Sequence, residues 1–148
     1  MPPVAWVALF ACGMVGASRL FPETRFGFPG LGVVSGLVFA AGLGVVAASV
    51  VAFRRHRTTV SPTRPDQASA LVTTGVYRVT RNPMYVGMAL CVLAIGLATG
   101  SLIALSLAPV FVVALNAFQI GPEEAAMRRL FGQAFEDYAA RTPRWLLV

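Results

Sequence analysis

NPMYVGMALCVLAIGLATGSLIALSLAPVFVVALNAFQIGP, residues 82–122, contains no charged side chain. A helix crosses a hydrocarbon core of about 30 Å in roughly 20 residues, so this run is too long for one pass and suits two. It divides at Ala98-Thr99-Gly100-Ser101, where small residues and a glycine mark a turn. The reading is a tight hairpin of two transmembrane helices, 83–99 and 101–120, with Pro109 kinking or loosening the second.

Polar residues crowd both mouths of this hairpin. GVYRVTR (75–81) runs into Asn82-Pro83-Met84-Tyr85, and Glu123 and Glu124 follow directly after the run. At the edge of a bilayer such groups are costly unless they pair or bind something. The two clusters read as one cofactor pocket on the cytoplasmic face of a small membrane enzyme. Simpler readings stand beside this one. Arg78 and Arg81 suit headgroup anchors. Asn82 suits an N-cap with Pro83 at the first helical position, and the glutamates suit the positive end of a helix dipole.

Composition agrees with a membrane protein. Charged residues make up 12% and hydrophobic ones 57%, with a mean hydropathy of +0.72. A soluble domain carries about 25% charged residues. The net charge of +6 comes from arginine alone, with no lysine, and the arginines cluster at the ends of apolar runs. That is the pattern of charge retained on the cytoplasmic side, not a nucleic-acid footprint. Cys12 and Cys91 lie inside apolar runs without metal-ligand spacing, so no metal site is expected.

Towards the N-terminus, residues 31–53 are uncharged and long enough to span. Gly32, Ser35 and Gly36, then Gly42, Gly44 and Ala48, predict close helix packing. Residues 3–18 read as a first transmembrane helix with Trp6 as an interfacial anchor, because the charged start of a cleaved signal peptide is missing. Residues 19–30 form a Pro- and Gly-rich turn, and 54–82 form a polar connection long enough to be functional. After Pro122, Met127, Leu130, Phe131, Ala134, Phe135 and Tyr138 recur at helical spacing, predicting an amphipathic helix over 122–141 that Gly132 weakens.

The fold class is therefore all-α: an integral-membrane bundle of four transmembrane helices plus a C-terminal amphipathic helix, in a single domain over 1–148. Loop 54–82 holds six arginines and the tail after 122 holds four, against two in the 19–30 turn. Loop and tail share a face, which the arginine bias makes cytoplasmic, with the N-terminus on the same side. A bacterial inner membrane is the expected location.

LVTTGVYRVTRNPMY (71–85), the acidic pair, and FGQAFEDYAARTPRW (131–145) together resemble the isoprenylcysteine carboxyl methyltransferase family, which is more distantly related to phospholipid N-methyltransferases. The resemblance covers roughly the last 90 residues. It implies a helical bundle holding S-adenosylmethionine between the cytoplasmic loop and the C-terminal part. On that resemblance Ser69, Ala70, Leu71 and Val72 line the cofactor through backbone groups, Tyr77 and Asn82–Tyr85 close the pocket, and Glu123 completes it. Gln119 stands where the family usually carries an arginine that reaches the methyl acceptor.

The residues suit that chemistry. A carboxylate such as Glu123 accepts from ribose hydroxyls or an amine, and the rings of Tyr77 and Tyr85 suit a sulfonium. Arg81 can pair with the cofactor carboxylate or, structurally, with Glu123 or Glu124. Amides around Thr73-Thr74-Gly75 add uncharged donors. Methyl transfer from a sulfonium needs alignment and desolvation more than acid–base help. The substrate is expected to be a lipophilic small molecule or lipid arriving sideways from the bilayer. Asn116 and Gln119, three apart on one helix face, are placed to meet it. The leading expectation is an S-adenosylmethionine-dependent methyltransferase for a lipophilic acceptor, with isoprenylcysteine-type carboxylate O-methylation by resemblance. The alternatives are a phospholipid or amine N-methyltransferase, favoured by the neutral Gln119, and a non-catalytic protein that keeps the fold.

Overall fold

The computed structural model describes residues 2–55 and 70–146, and everything below concerns these. Ser69, within the expected cofactor loop, lies outside them. Six α-helices follow in order among the described residues: α1 (Pro3–Leu20), α2 (Leu31–Arg55), α3 (Pro83–Thr99), α4 (Leu102–Leu115), α5 (Gly121–Phe131) and α6 (Gln133–Arg141).

Three helices are long and apolar enough to cross a membrane: α1, α2 and the continuous stretch Leu102–Phe131, with α3 as a shorter apolar helix. The continuity is the main departure from the expected pattern. Gly121-Pro122 does not break the chain. A π-turn over Asn116–Ile120, closed by the Gly121 amide donating to the Asn116 carbonyl, joins α4 to α5. Proline lacks an amide hydrogen, and its ring collides with the carbonyl four residues back in a regular α-helix. The wider turn ahead of Pro122 relieves both problems. Because the helix runs through, Glu123 and Glu124 do not face a free helix N-terminus. The helix also continues through Pro109.

The amphipathic helix expected over 122–141 is two helices, separated at Gly132, whose φ of 51° is a left-handed value that glycine adopts without strain. Its apolar stripe divides accordingly: Phe135 and Tyr138 are buried, while Leu130 is exposed.

α3 is the central helix. It packs most extensively against α2 on one side and against α4 and α1 on the other. Tyr85, Met88 and Val92 of α3 join Met14, Phe111, Leu115 and Ile120 in the buried core. Gly42 of α2 faces Gly87 of α3: a Cβ on Gly42 would lie 2.7 Å from the Gly87 carbonyl oxygen, and one on Gly87 would lie 2.6 Å from that of Gly42. The two backbones touch there, as the small-residue pattern anticipated for Gly42. Gly32, Gly36 and Gly44 meet nothing and face outward.

The turn after α1 and the α3–α4 turn lie together at one end, where the Phe26 amide donates to Gly100 (2.7 Å) and Thr24 shares a hydrogen bond with Ser101 (2.9 Å). The opposite end gathers the 70–82 segment, the π-turn and the chain from α5 onward. The first turns of α1 reach the same end, since Trp6 stacks on Phe118 of the π-turn. The 70–82 segment, the described tail and the start of α1 thus share one end.

Candidate functional site

Two carboxylates organise this end. Glu123 Oε1 accepts hydrogen bonds from the Tyr85 hydroxyl (2.5 Å) and the Gln119 side-chain amide (3.1 Å). Tyr85 stands in the first turn of α3 and is almost fully buried, and Gln119 precedes Glu123 by four residues across the π-turn. Tyr77 is buried close by. Its ring meets Phe53 of α2 edge-on at 5.2 Å, and it lies within electrostatic reach of Glu123. Burial, first of all, holds the Tyr77 hydroxyl protonated well above its ordinary value. Among the described residues no cation pairs with Glu123.

Glu124 is 4% exposed and surrounded by cations. Arg81 Nη2 and Nε donate to its Oε1 (3.0 and 3.3 Å), and Arg144 Nε and Nη2 donate to Oε1 and Oε2 (3.1 and 2.6 Å). Arg128 approaches Oε2 at 3.8 Å. The carboxylate raises the affinity of Arg144 for its proton further, chiefly through the hydrogen bond. A carboxylate so buried is sustained by pairing and full hydrogen bonding.

Around Glu124 the end of the chain is strapped to the segment before α3. Arg81 Nη1 donates to the carbonyls of Ala139 and Thr142 (2.9 and 2.6 Å), and its amide donates to Pro143 (2.9 Å). The Thr80 hydroxyl and the Asn82 side-chain amide both donate to the Arg144 carbonyl (2.8 and 3.2 Å). The Tyr138 hydroxyl donates to the Tyr77 carbonyl (2.7 Å). Asn82 does occupy the position before α3, but its side chain serves the strap and makes no capping bond.

The expected site residues therefore fall into groups. Tyr85, Gln119 and Glu123 are in direct contact, with Tyr77 beside them. Arg81, Asn82 and Glu124 belong to the strap. Asn116 accepts from Trp145 Nε1 (3.0 Å), so it and Gln119 have different partners. The π-turn changes the helical phase on which their common face was argued. Pro83 and Val72 are buried, Met84 packs against the core, and Ala70 and Leu71 are half-buried. Gly75 opens a short 3₁₀ turn with φ of 62°. Sequence reasoning did not find the strap: Thr80, Tyr138 and Arg144 act through backbone carbonyls and one shared carboxylate, which leave no spacing signal.

The family model for phospholipid methyltransferases matches residues 31–134. The chain belongs to the phospholipid methyltransferase family. The match takes in α2 to the start of α6, including Tyr85, Gln119 and both glutamates, and leaves out α1 and the chain beyond residue 134. It makes this protein a membrane methyltransferase and supports the wider relationship read from residues 71–85, without reaching the isoprenylcysteine branch. No match was found among curated proteins or among solved structures.

The site fits the cofactor general to such methyltransferases by the chemistry of its groups. Glu123 has one oxygen fixed by two neutral donors. Its second oxygen has no hydrogen bond among the described residues, so it can accept from hydroxyl or amine groups. Two buried tyrosine rings flank it.

Proposed function

We propose that this methyltransferase uses S-adenosylmethionine to methylate an amine-bearing lipid headgroup at the membrane surface. The observation that carries the reading is the division of charge at the site. Arg81 and Arg144 both turn to Glu124, and Arg128 bonds to Glu136, which leaves Glu123, Tyr85 and Gln119 as a face with a carboxylate and, among the described residues, no paired cation. Such a face favours a cationic sulfonium and an amine, and disfavours a carboxylate acceptor, which calls for a guanidinium opposite it.

When bound, the cofactor supplies an electrophilic methyl group. The residues of this chain bind and orient. Glu123 Oε2 accepts from the cofactor's hydroxyl or amino groups while Tyr85 and Gln119 hold the other oxygen in place. Tyr77 and Tyr85 present their rings, and the segment Ala70–Val72, Gly75 and Asn82–Met84 forms the wall. Arg81 and Glu124 act indirectly, by fixing that wall to the end of the chain. Burial of Tyr85 and Tyr77 keeps water away, so alignment and desolvation do the work. Gln119 faces the acceptor, with Asn116 and Trp145 beside it.

Two further parts belong to the same proposal. α3, central in the bundle and antiparallel to α4, serves as a short fourth span. The end that carries the site, rich in arginine, faces the cytoplasm in a bacterial inner membrane.

The test is calorimetric titration of S-adenosylmethionine into nanodisc-held protein, paired with transfer of labelled methyl into phosphatidylethanolamine and, separately, into a prenylcysteine carboxylate. Micromolar binding and label in the amine lipid are expected. Label in the carboxylate alone would move the protein to the isoprenylcysteine branch. Absence of binding in folded protein would leave a non-catalytic relative. Gln119→Arg is expected to lower transfer to the amine, and unchanged transfer would remove Gln119 from the acceptor side.

A further inference from the structure

Trp6 belongs to α1, which lies outside the residues that the family match spans, so the family relationship does not account for it. Its ring stacks on Phe118 with centroids 5.6 Å apart and planes at 14°, and it meets Phe10 at 6.4 Å. Its Nε1–H is buried and has no hydrogen-bond partner among the described residues. Trp145, at the same end, has Asn116 as its acceptor.

An indole N–H shut off from water without an acceptor is costly, and more so at membrane depth, where water cannot reach it. Native structures rarely leave such a donor without a reason. Phe118 sits in the π-turn next to Gln119 and is 66% exposed, so the outer edge of the seam between α1 and the π-turn is accessible, and the enclosed Nε1–H is reached when the two rings part. At headgroup level the oxygen acceptors a lipid can bring are ester carbonyls and phosphate oxygens.

We propose that Trp6 Nε1–H donates a hydrogen bond to an ester or phosphate oxygen of the methyl-accepting lipid, which docks in the seam between α1 and the π-turn with its amine towards Gln119 and Glu123. The identity of the lipid as methyl acceptor rests on the function proposed above; the unpartnered donor does not. Trp6 is thus a substrate-positioning residue contributed by a helix outside the family match.

The experiment uses protein labelled with ¹⁵N at its tryptophan indoles in dodecyl maltoside, a detergent without ester or phosphate groups. Short-chain phosphatidylethanolamine and phosphatidylcholine are titrated in separately, with Trp6→Phe assigning the two resonances. The Trp6 indole proton is expected to move downfield saturably with phosphatidylethanolamine, while Trp145, already bonded, stays put. Trp6→Phe keeps the stacking and removes the donor. It is expected to raise KM for the lipid about fivefold, the effect of one neutral hydrogen bond, with kcat and cofactor affinity unchanged. A Trp6 resonance that does not respond to saturating phosphatidylethanolamine overturns the proposal. So does an equal response to phosphatidylcholine with KM unaffected by Trp6→Phe, which would mark bulk lipid only. A saturable, headgroup-selective shift in protein that transfers no methyl would support the lipid site while sinking the enzymatic reading.

Discussion

Glu123 and Glu124 are consecutive in the chain and face surroundings of opposite character. One residue along an α-helix is a turn of about 100°, enough to send one carboxylate towards Tyr85 and Gln119 and the other into a nest of arginines. Glu124 is neutralised, and the guanidiniums of Arg81 and Arg144 hold the tail against the segment before α3. Among the described residues Glu123 meets only neutral donors, so no described cation offsets its field. A cation-rich end thereby presents a local anionic face among the described residues: Arg81 and Arg144 are drawn to one carboxylate and kept from the other.

Removing the structural member of the pair should do the most damage to stability. Glu124→Ala leaves Arg81 and Arg144 without their counter-charge. Arg81's side chain is 12% exposed and Arg144's is 38%. With water taking up part of the Arg144 charge, the cost is expected near the low end of the range for a broken buried pair, about 3 kcal/mol. Thermal unfolding in detergent measures it, and an unchanged Tm would mean that the strap does not hold the fold.

The next effect belongs to the ligand side. Glu123→Gln is expected to weaken S-adenosylmethionine binding by about 10- to 100-fold, the weight of a hydrogen bond to a charged group, while Tm moves little. Equal weakening by Glu124→Gln in protein of undiminished stability would erase the division between the two residues. Tyr85→Phe removes one of the donors that fix Glu123, and about a fivefold loss of affinity should follow. Calorimetry that found no loss would show that Gln119 alone orients the carboxylate.

The smallest effect is a pH effect on the strap. Burial, the leading cause for both, raises the hydroxyls of Tyr77 and Tyr138 above their ordinary value of 10.0. A proton held more tightly in the folded state gives stability that is complete below the unfolded value and is lost as pH climbs above it. Tm should therefore hold steady up to about pH 10 and fall beyond it. Tyr138→Phe should cost about 1 kcal/mol at neutral pH through its lost bond to the Tyr77 carbonyl and should flatten the alkaline fall. An equally steep fall in the variant would place the titrating group elsewhere.

The sequence was legible where apolar length and turn chemistry decide the outcome. Helix α3 begins at Pro83 and ends at Thr99 as read, because Gly100 and Ser101 supply the left-handed turn and the next cap. It was illegible where tertiary partners decide. Gly121-Pro122 has the chemistry of a break, yet the helix continues because a π-turn makes room for the proline ring. Asn116 and Gln119 look like one face only at α-helical pitch. Both glutamates look alike in the sequence, since nothing local says that Arg144, far along the chain, will return to Glu124. Gly87, unlike Gly42, drew no notice, because its partner is another glycine across a helix crossing.

The π-turn also holds a spare residue. An i→i+5 turn encloses one residue more than the α-turn it replaces. Deleting Ala117 or Phe118 would let the Gly121 amide meet the Asn116 carbonyl at ordinary pitch and leave α5 near its present phase, so Glu123 and Glu124 would keep their neighbours. Adding a residue there has no wider turn to absorb it and would rotate everything after it by about 100° around the helix axis, swinging Glu123 off Tyr85 and Glu124 off its arginines. This end of the molecule therefore tolerates a shorter turn and not a longer one.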